Sequence, residues 1–283
     1  MMLRIIMDSA GDLPLEWLDL YDIQVIPINI HFGERTYYQG IDLTNSGFYQ
    51  LVAESGTIPK TSQPTPHQFI SFYRKIAQQG DTVISVHVTS KLSGTYESAE
   101  IAARELTGEI NVIPVDSGGG SASMGFMCRI ARELSLAGKT IQQIVARLAQ
   151  IRERTEIILT LDTLDYARMS GRVKAMQAAL ASMLNVKPIV ILSEGVLDVS
   201  EKVRTRGRSI ERVLELMKNR IGDHLVNMAV VHAQDPTIGK NLLDRVRDSF
   251  NIRELMFTEL SIGIAANLGP GTVGIVACPA IEG

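Results

Sequence analysis

The sequence predicts an α/β protein of two domains. Strand-like, β-branched runs alternate with helical ones along the whole chain, a pattern that argues for helices packed on largely parallel sheets. The 283 residues, 45% of them hydrophobic, are enough for two domains with a substantial core. A charged stretch, RERTE at 152–156, closes one helical segment as a new strand-like run starts, which places a domain boundary near Arg152 to Thr155 and gives domains 1–153 and 154–283.

In the first half the strand candidates are LRIIM (3–7), QVIPINI (24–30), TVISVHV (82–88) and INVIPV (110–115). Thr65-Pro66-His67-Gln68 has a hydroxyl at N-cap, proline at N1 and glutamine at N3. That is a capping box, and Phe69, Phe72, Tyr73 and Ile76 follow it at helical spacing. The segment SKLSGTYESAEIAAREL (90–106) turns helical straight after its strand. Thr140 to Gln143 is a second capping box, leading into the apolar stripe Ile141, Ile144, Val145, Leu148 and Ile151.

The second half repeats the alternation with EIILTL (156–161), KPIVIL (187–192), VNMAVVHA (226–233), ELMFTEL (254–260) and TVGIVAC (272–278). Val173, Met176, Leu180, Met183 and Leu184 fall at helical spacing, a stripe that reads first as plain core, although methionine also suits a wall against a flexible tail. Asp235-Pro236 is an N-cap with proline at N1, opening a helix that buries Leu242, Leu243 and Val246.

Composition narrows the function. A net charge of −3, a pI near 6.0 and 5% aromatic residues give neither a basic face nor stacking platforms for nucleic acid. The two cysteines, Cys128 and Cys278, lie far apart without CxxC spacing, so no zinc site or disulfide framework is expected and a reducing cytoplasm fits. The apolar residues before Asp8 are too few for a secretory segment, and no run approaches the ~20 residues that span a bilayer. Gly118-Gly119-Gly120 and Gly269-Pro270-Gly271 lack the Lys-Ser/Thr of a phosphate-binding P-loop, and the Gly-Pro-Gly reads as a tight turn that lets backbone approach a ligand or the other domain. No Gly-x-Ser-x-Gly elbow occurs. Of the five histidines, His87 reads as a core or hydrogen-bonded residue inside its strand.

Two hydroxyl clusters stand out. Ser93-Gly94-Thr95 falls where a helix begins after a strand, so Ser93 or Thr95 either caps that helix or faces an anion drawn to its free N–H groups. Spacing alone favours the cap. Thr61 and Ser62 precede the Thr65 cap in a segment held extended by Pro59 and Pro64, and are free to face a ligand. Asp8-Ser9 and Asp116-Ser117 come off strand ends, the sheet edge where α/β proteins bind ligands, but their aspartates suit turn chemistry. Arg204-Thr205-Arg206-Gly207-Arg208 is first a solvated face, with an acidic partner as the other reading.

Taken in order, Asp8-Ser9, Asp12-Leu13-Pro14, VIPINIHFGERTYYQGIDL (25–43), PKTSQPTP (59–66), SKLSGTY (90–96), VDS (115–117), LDTLDYARMSGR (161–172), Lys187-Pro188, Arg204-Thr205-Arg206 and LGPGTVG (268–274) resemble the DegV family of bacterial fatty-acid-binding proteins. The resemblance runs almost the whole length. It implies an N-terminal α/β/α domain on a parallel sheet that carries the head-group loops, and a second α/β domain with a mixed sheet that contributes to an acyl-chain tunnel. The implied ligand is a long-chain fatty acid such as palmitate, its carboxylate held by Ser93 and Thr61. In some members the acid is presented to a separate fatty acid kinase, and the protein itself supplies no turnover and no cofactor. Ser62, Arg172, Arg204 and Arg206 fall at positions for helping with the head group or docking such a partner. Where family members often carry a histidine before the Gly-Pro-Gly turn, this chain has Asn267, which still donates a hydrogen bond but cannot titrate near neutral pH.

Two other classes compete with the lipid carrier. A serine hydrolase or acyltransferase using Ser93 needs a neighbouring base, which the sequence does not nominate. A module for a small phosphorylated metabolite rests on the glycine-rich loops and the helix start.

Overall fold

Proline 27 divides the run 24–30 into two strands, because a residue without an N–H and with fixed φ cannot continue a central ladder. The computed structural model describes residues 2–173 and 186–280. Of the expected stripe Val173, Met176, Leu180, Met183 and Leu184, all but Val173 lie outside the described residues. The chain divides into two compact units, Met1–Glu153 with Ser261–Gly263, and Arg154–Leu260 with Ile264–Gly283.

The first unit runs β1 (Leu3–Asp8), α1 (Leu15–Leu20), β2 (Ile23–Ile26), β3 (Asn29–Phe32), β4 (Arg35–Tyr38), α2 (Asn45–Ser55) and β5 (Lys60–Ser62). It continues through α3 (Pro66–Ile76), β6 (Thr82–His87), α4 (Thr95–Glu105), β7 (Asn111–Asp116), α5 (Ala122–Leu136) and α6 (Ile141–Glu153). Strands β2-β1-β6-β7 form a four-stranded sheet in which every pairing is parallel. Helices α3 and α4 close one face, where Phe69, Tyr73, Ala99, Ala102 and Leu106 pack on Ile6 and Val83. The other face meets α5, with Met7 and Met124 both reaching Gly11. The antiparallel sheet β4-β3-β5 stands apart from it. The sequence reading places 59–64 in an extended loop; Lys60–Ser62 instead pairs with β3, which gives Thr61 and Ser62 fixed and opposite directions.

The second unit contains β8 (Glu156–Thr160), α7 (Asp165–Ser170), β9 (Lys187–Ser193), β10 (Val196–Val203), α8 (Arg206–Ile221), β11 (Val226–His232), α9 (Pro236–Ser249), β12 (Ile252–Glu259) and β13 (Val273–Pro279). A further helix, α10 (Ile262–Leu268), spans the return of the chain between the two units' segments. Its six-stranded sheet has the order β10-β9-β8-β13-β11-β12. Only β11 and β12 pair in parallel; the other four pairings are antiparallel, so the sheet is mixed. Simple strand–helix alternation predicts a mostly parallel sheet and misses the hairpin β9–β10. Its two-residue turn, Glu194 (φ 49) and Gly195 (φ 80), has both residues at positive φ, the geometry that joins twisted antiparallel strands tightly. Helices α8 and α9 bury Ile210, Val213, Met217, Leu242 and Val246 against one face of this sheet.

Candidate functional site

The Thr65 capping box forms as expected: Thr65 Oγ1 accepts from Gln68 N at 3.2 Å and Gln68 Oε1 accepts from Thr65 N at 2.8 Å. Thr65 is therefore structural. Gln68 also donates from Nε2 to Asn29 Oδ1 (3.1 Å), and Asn29 Nδ2 donates to Ser62 Oγ (3.3 Å) and Gln63 O (3.0 Å). His31 completes this network with Nε2 2.8 Å from Ser62 Oγ and Nδ1 3.0 Å from Thr36 Oγ1. Ser62 is thus committed to holding β5 on β3.

Thr61 has the opposite direction. In the β3–β5 register Thr61 pairs with the wholly buried Ile30, while Ser62 pairs with Asn29, so successive hydroxyls leave opposite faces. Gln63 follows β5 directly, with Pro64 after it. Its side chain lies across the second hydroxyl cluster: a Cβ placed on Gly94 would sit 2.9 Å from Gln63 Nε2 and 3.3 Å from its Cδ. The two clusters picked out from the sequence therefore adjoin.

Ser93 Oγ accepts from Thr95 N, the first N–H of α4, at 3.4 Å. The N-cap position itself is Gly94, which has no side chain to cap with, and Ser93 Oγ also lies 2.8 Å from Thr95 Oγ1. Thr95 is wholly buried, so its hydroxyl has this partner in place of water. When Thr95 donates to Ser93, the Ser93 proton is left to point outward. Ser93 takes the Thr95 N–H, and the helix start keeps its partial positive charge beside that hydroxyl.

A buried polar chain, which the sequence reading did not find, crosses the centre of this unit. Asp8 Oδ2 accepts from Val88 N (2.9 Å) and faces His87 Nδ1 (3.1 Å); His87 Nε2 lies 2.6 Å from Ser85 Oγ, and Ser85 Oγ 2.9 Å from Tyr73 OH. Burial, first of all, raises the Tyr73 phenol above its ordinary value. The order carboxylate, imidazole, hydroxyl is that of a serine nucleophile with its base, yet Asp8, Ser85, His87 and Tyr73 are all fully buried and the Ser85 hydroxyl is closed off from solvent. The i, i+2 spacing of Ser85 and His87 on one strand face was the available signal. It pins the end of β6, from which the Ser93 loop departs.

Asp116 performs turn chemistry: Oδ1 accepts from Gly118 N (2.9 Å), while Oδ2 accepts from Ser90 Oγ (2.7 Å) and Arg152 Nη2 (3.2 Å). Gly119 N donates to Ser117 Oγ at 3.2 Å. Local acceptors thus occupy these glycine N–H groups, and Gly118 (φ +65) is required because Arg152 lies over it, its Cγ 2.7 Å from a Cβ position there.

In the second unit Arg206 Nη2 donates to Asp235 Oδ2 (3.3 Å) and to Gly271 O. Arg206 thereby ties the start of α8 to the Gly-Pro-Gly turn. Arg172 follows the left-handed Gly171 and donates to Ser170 O, while Arg204 is exposed after β10. Asn267 lies in α10, its carbonyl accepting from Ser170 Oγ at 3.3 Å. Thr61, Ser62 and Ser93 lie in the first unit, and these four residues in the second. Cys128 and Cys278 are free and buried, and burial pushes the Cys278 thiol up to about 12. Among the described residues no cluster of His, Cys, Asp or Glu could hold a metal ion, and no helix is long and apolar enough to cross a membrane.

The architecture defines a class: an α/β protein with a four-stranded parallel sheet and a small antiparallel sheet in one unit and a six-stranded mixed sheet in the other. A family model described as "Uncharacterised protein, DegV family" matches residues 2–280. The chain belongs to the DegV family. It is 34% identical to a DegV domain-containing protein of Streptomyces coelicolor, over 96% of each chain. A fatty-acid-binding DegV family protein of Thermus thermophilus superposes with a TM-score of 0.89 at 29% identity, covering 99% of this chain and 100% of that one. A stearic-acid-binding protein of Eubacterium ventriosum superposes with a TM-score of 0.88 at 25% identity, over 98% of each.

Proposed function

We propose that this chain binds a long-chain fatty acid, of the palmitate or stearate class, with its carboxylate on the Ser93 and Thr61 hydroxyls and its tail in a buried tunnel. One observation carries the reading: Ser93 Oγ is paired with Thr95 Oγ1, a hydroxyl and not a base, at the start of α4, where it also accepts from Thr95 N. That arrangement holds an anion and does not activate a nucleophile. Membership of the DegV family and fatty-acid binding by its structural relatives supply the ligand class. The chain acts as a cytoplasmic carrier that presents the acid to a separate fatty acid kinase, with Arg172 and Arg204 at the docking surface; the family resemblance supports this part.

The tail supplies most of the affinity. About 15 buried methylenes at about 0.8 kcal/mol each offer on the order of 12 kcal/mol before association costs. A hydrogen bond to a charged group contributes about 1.5–3 kcal/mol, so Ser93 and Thr61 chiefly set orientation and offset carboxylate desolvation. Titration of delipidated protein with stearic acid tests the reading: Ser93→Ala weakens binding by about tenfold or more. Equal affinity in wild type and Ser93→Ala removes Ser93 from the site.

A further inference from the structure

We propose that the side-chain amide of Gln63 is a third head-group donor and makes the site selective for a carboxylate over a neutral head group. This rests on the fatty-acid reading above. Gly94 has φ −77 and ψ 11, a conformation open to any residue, so its backbone does not call for glycine. The Gln63 side chain lies against this residue: its Nε2 lies 2.9 Å from the position a Cβ would take, and its Cδ and Cγ lie 3.3 and 3.8 Å away. The tip of that side chain therefore rests on the turn between Ser93 and Thr95.

The segment is held there from behind. Gln63 O accepts from Asn29 Nδ2 at 3.0 Å, Ser62 is tied to His31, and Pro64 is buried, so the backbone of Gln63 is fixed while its amide is exposed. Neither the Gln63 amide nor the Thr61 hydroxyl has a side-chain hydrogen-bond partner among the described residues. Gln63 follows the end of β5 two residues after Thr61, and its side chain reaches Gly94, the residue after Ser93. The Gln63 amide thus meets the turn that carries Ser93, two residues on from Thr61. An uncharged amide suits this position because it donates two N–H bonds to an anion without forming a salt bridge. A carboxylate in its place would repel the ligand.

The test compares delipidated wild type, Gln63→Glu and Gly94→Ala, each titrated with stearic acid and with octadecanol. Gln63→Glu has nearly the same shape and lies on an exposed side chain, so the fold is kept. It should weaken stearic acid by about tenfold or more while changing octadecanol by less than about twofold, because only the acid meets the new charge. Gly94→Ala, which displaces the amide, should lower the ratio of acid to alcohol affinity in the same direction. An unchanged acid-to-alcohol ratio in Gln63→Glu, in a wild type that binds the acid, overturns the Gln63 assignment alone. A wild type that binds neither lipid overturns the fatty-acid reading with it.

Discussion

His87 Nδ1 sits 3.1 Å from Asp8 Oδ2 in the middle of the parallel sheet of the first unit, with both side chains wholly buried. Asp8 also accepts from Ala10 N (2.9 Å) and Val88 N (2.9 Å), so one carboxylate ties the ends of β1 and β6 together. Asp8→Ala leaves these donors and His87 without their acceptor, and should cost about 3–5 kcal/mol of unfolding free energy. Tyr73→Phe removes only the far end of the chain and should cost about 1 kcal/mol, since Ser85 keeps His87. Urea denaturation of the two variants checks the order; equal losses would show that Asp8 is not the anchor.

In the proposed site Thr95 acts on the head group through Ser93. Thr95→Val, similar in shape, removes the hydroxyl 2.8 Å from Ser93 Oγ and should weaken stearic acid binding by a few-fold, on the order of 1 kcal/mol. Adding it to Ser93→Ala should cost almost nothing further, because the two hydroxyls act as a unit. Full additivity in the double variant would place Thr95 outside the site.

Thr65 belongs to the frame. Thr65→Ala should lower stability by about 1 kcal/mol through loss of the cap. The same variant should leave fatty-acid affinity within about twofold. A large loss of affinity at full stability would move Thr65 into the site.

Burial holds the His232 imidazole below its ordinary value, against the raising influence of Glu259 and Asp235. The unfolded chain therefore takes up a proton that the folded one refuses. The stability contribution is complete above about pH 6.5 and is lost as pH falls toward the lowered folded value. His232→Phe should flatten the fall of stability between pH 7 and 5, read from denaturation midpoints. A slope unchanged from wild type contradicts this.

The thiols should be silent. Burial raises Cys128 above the ordinary thiol value and Cys278 to about 12, so both remain protonated at pH 8. An aromatic disulfide reagent should modify neither in the native chain and both after denaturation. Rapid native labelling of either would show that its strand or helix opens.

Local signals made much of this legible. The capping boxes at Thr65 and Thr140 and the cap at Asp235 follow from residues a few positions apart, and each forms as its sequence indicates. What escaped depends on pairing across distance. The edge strand β10, VLDVSEKV, is half polar, and only its hairpin turn with β9 reveals it. Pro27 hides the β2–β3 division inside one apolar run. Ser93 reads as a cap and does accept from Thr95 N, whereas its pairing with the buried Thr95 hydroxyl shows only in the structure. The meeting of Gln63 with Gly94 joins positions 31 residues apart, and nothing in the sequence sets that distance.

Mass spectrometry of lipid extracted from the denatured protein, purified from a bacterial host without added fatty acid, tests the central claim most directly. Near-stoichiometric long-chain fatty acid, reduced in Ser93→Ala, is the predicted result. A wild-type protein that yields no fatty acid would contradict the account.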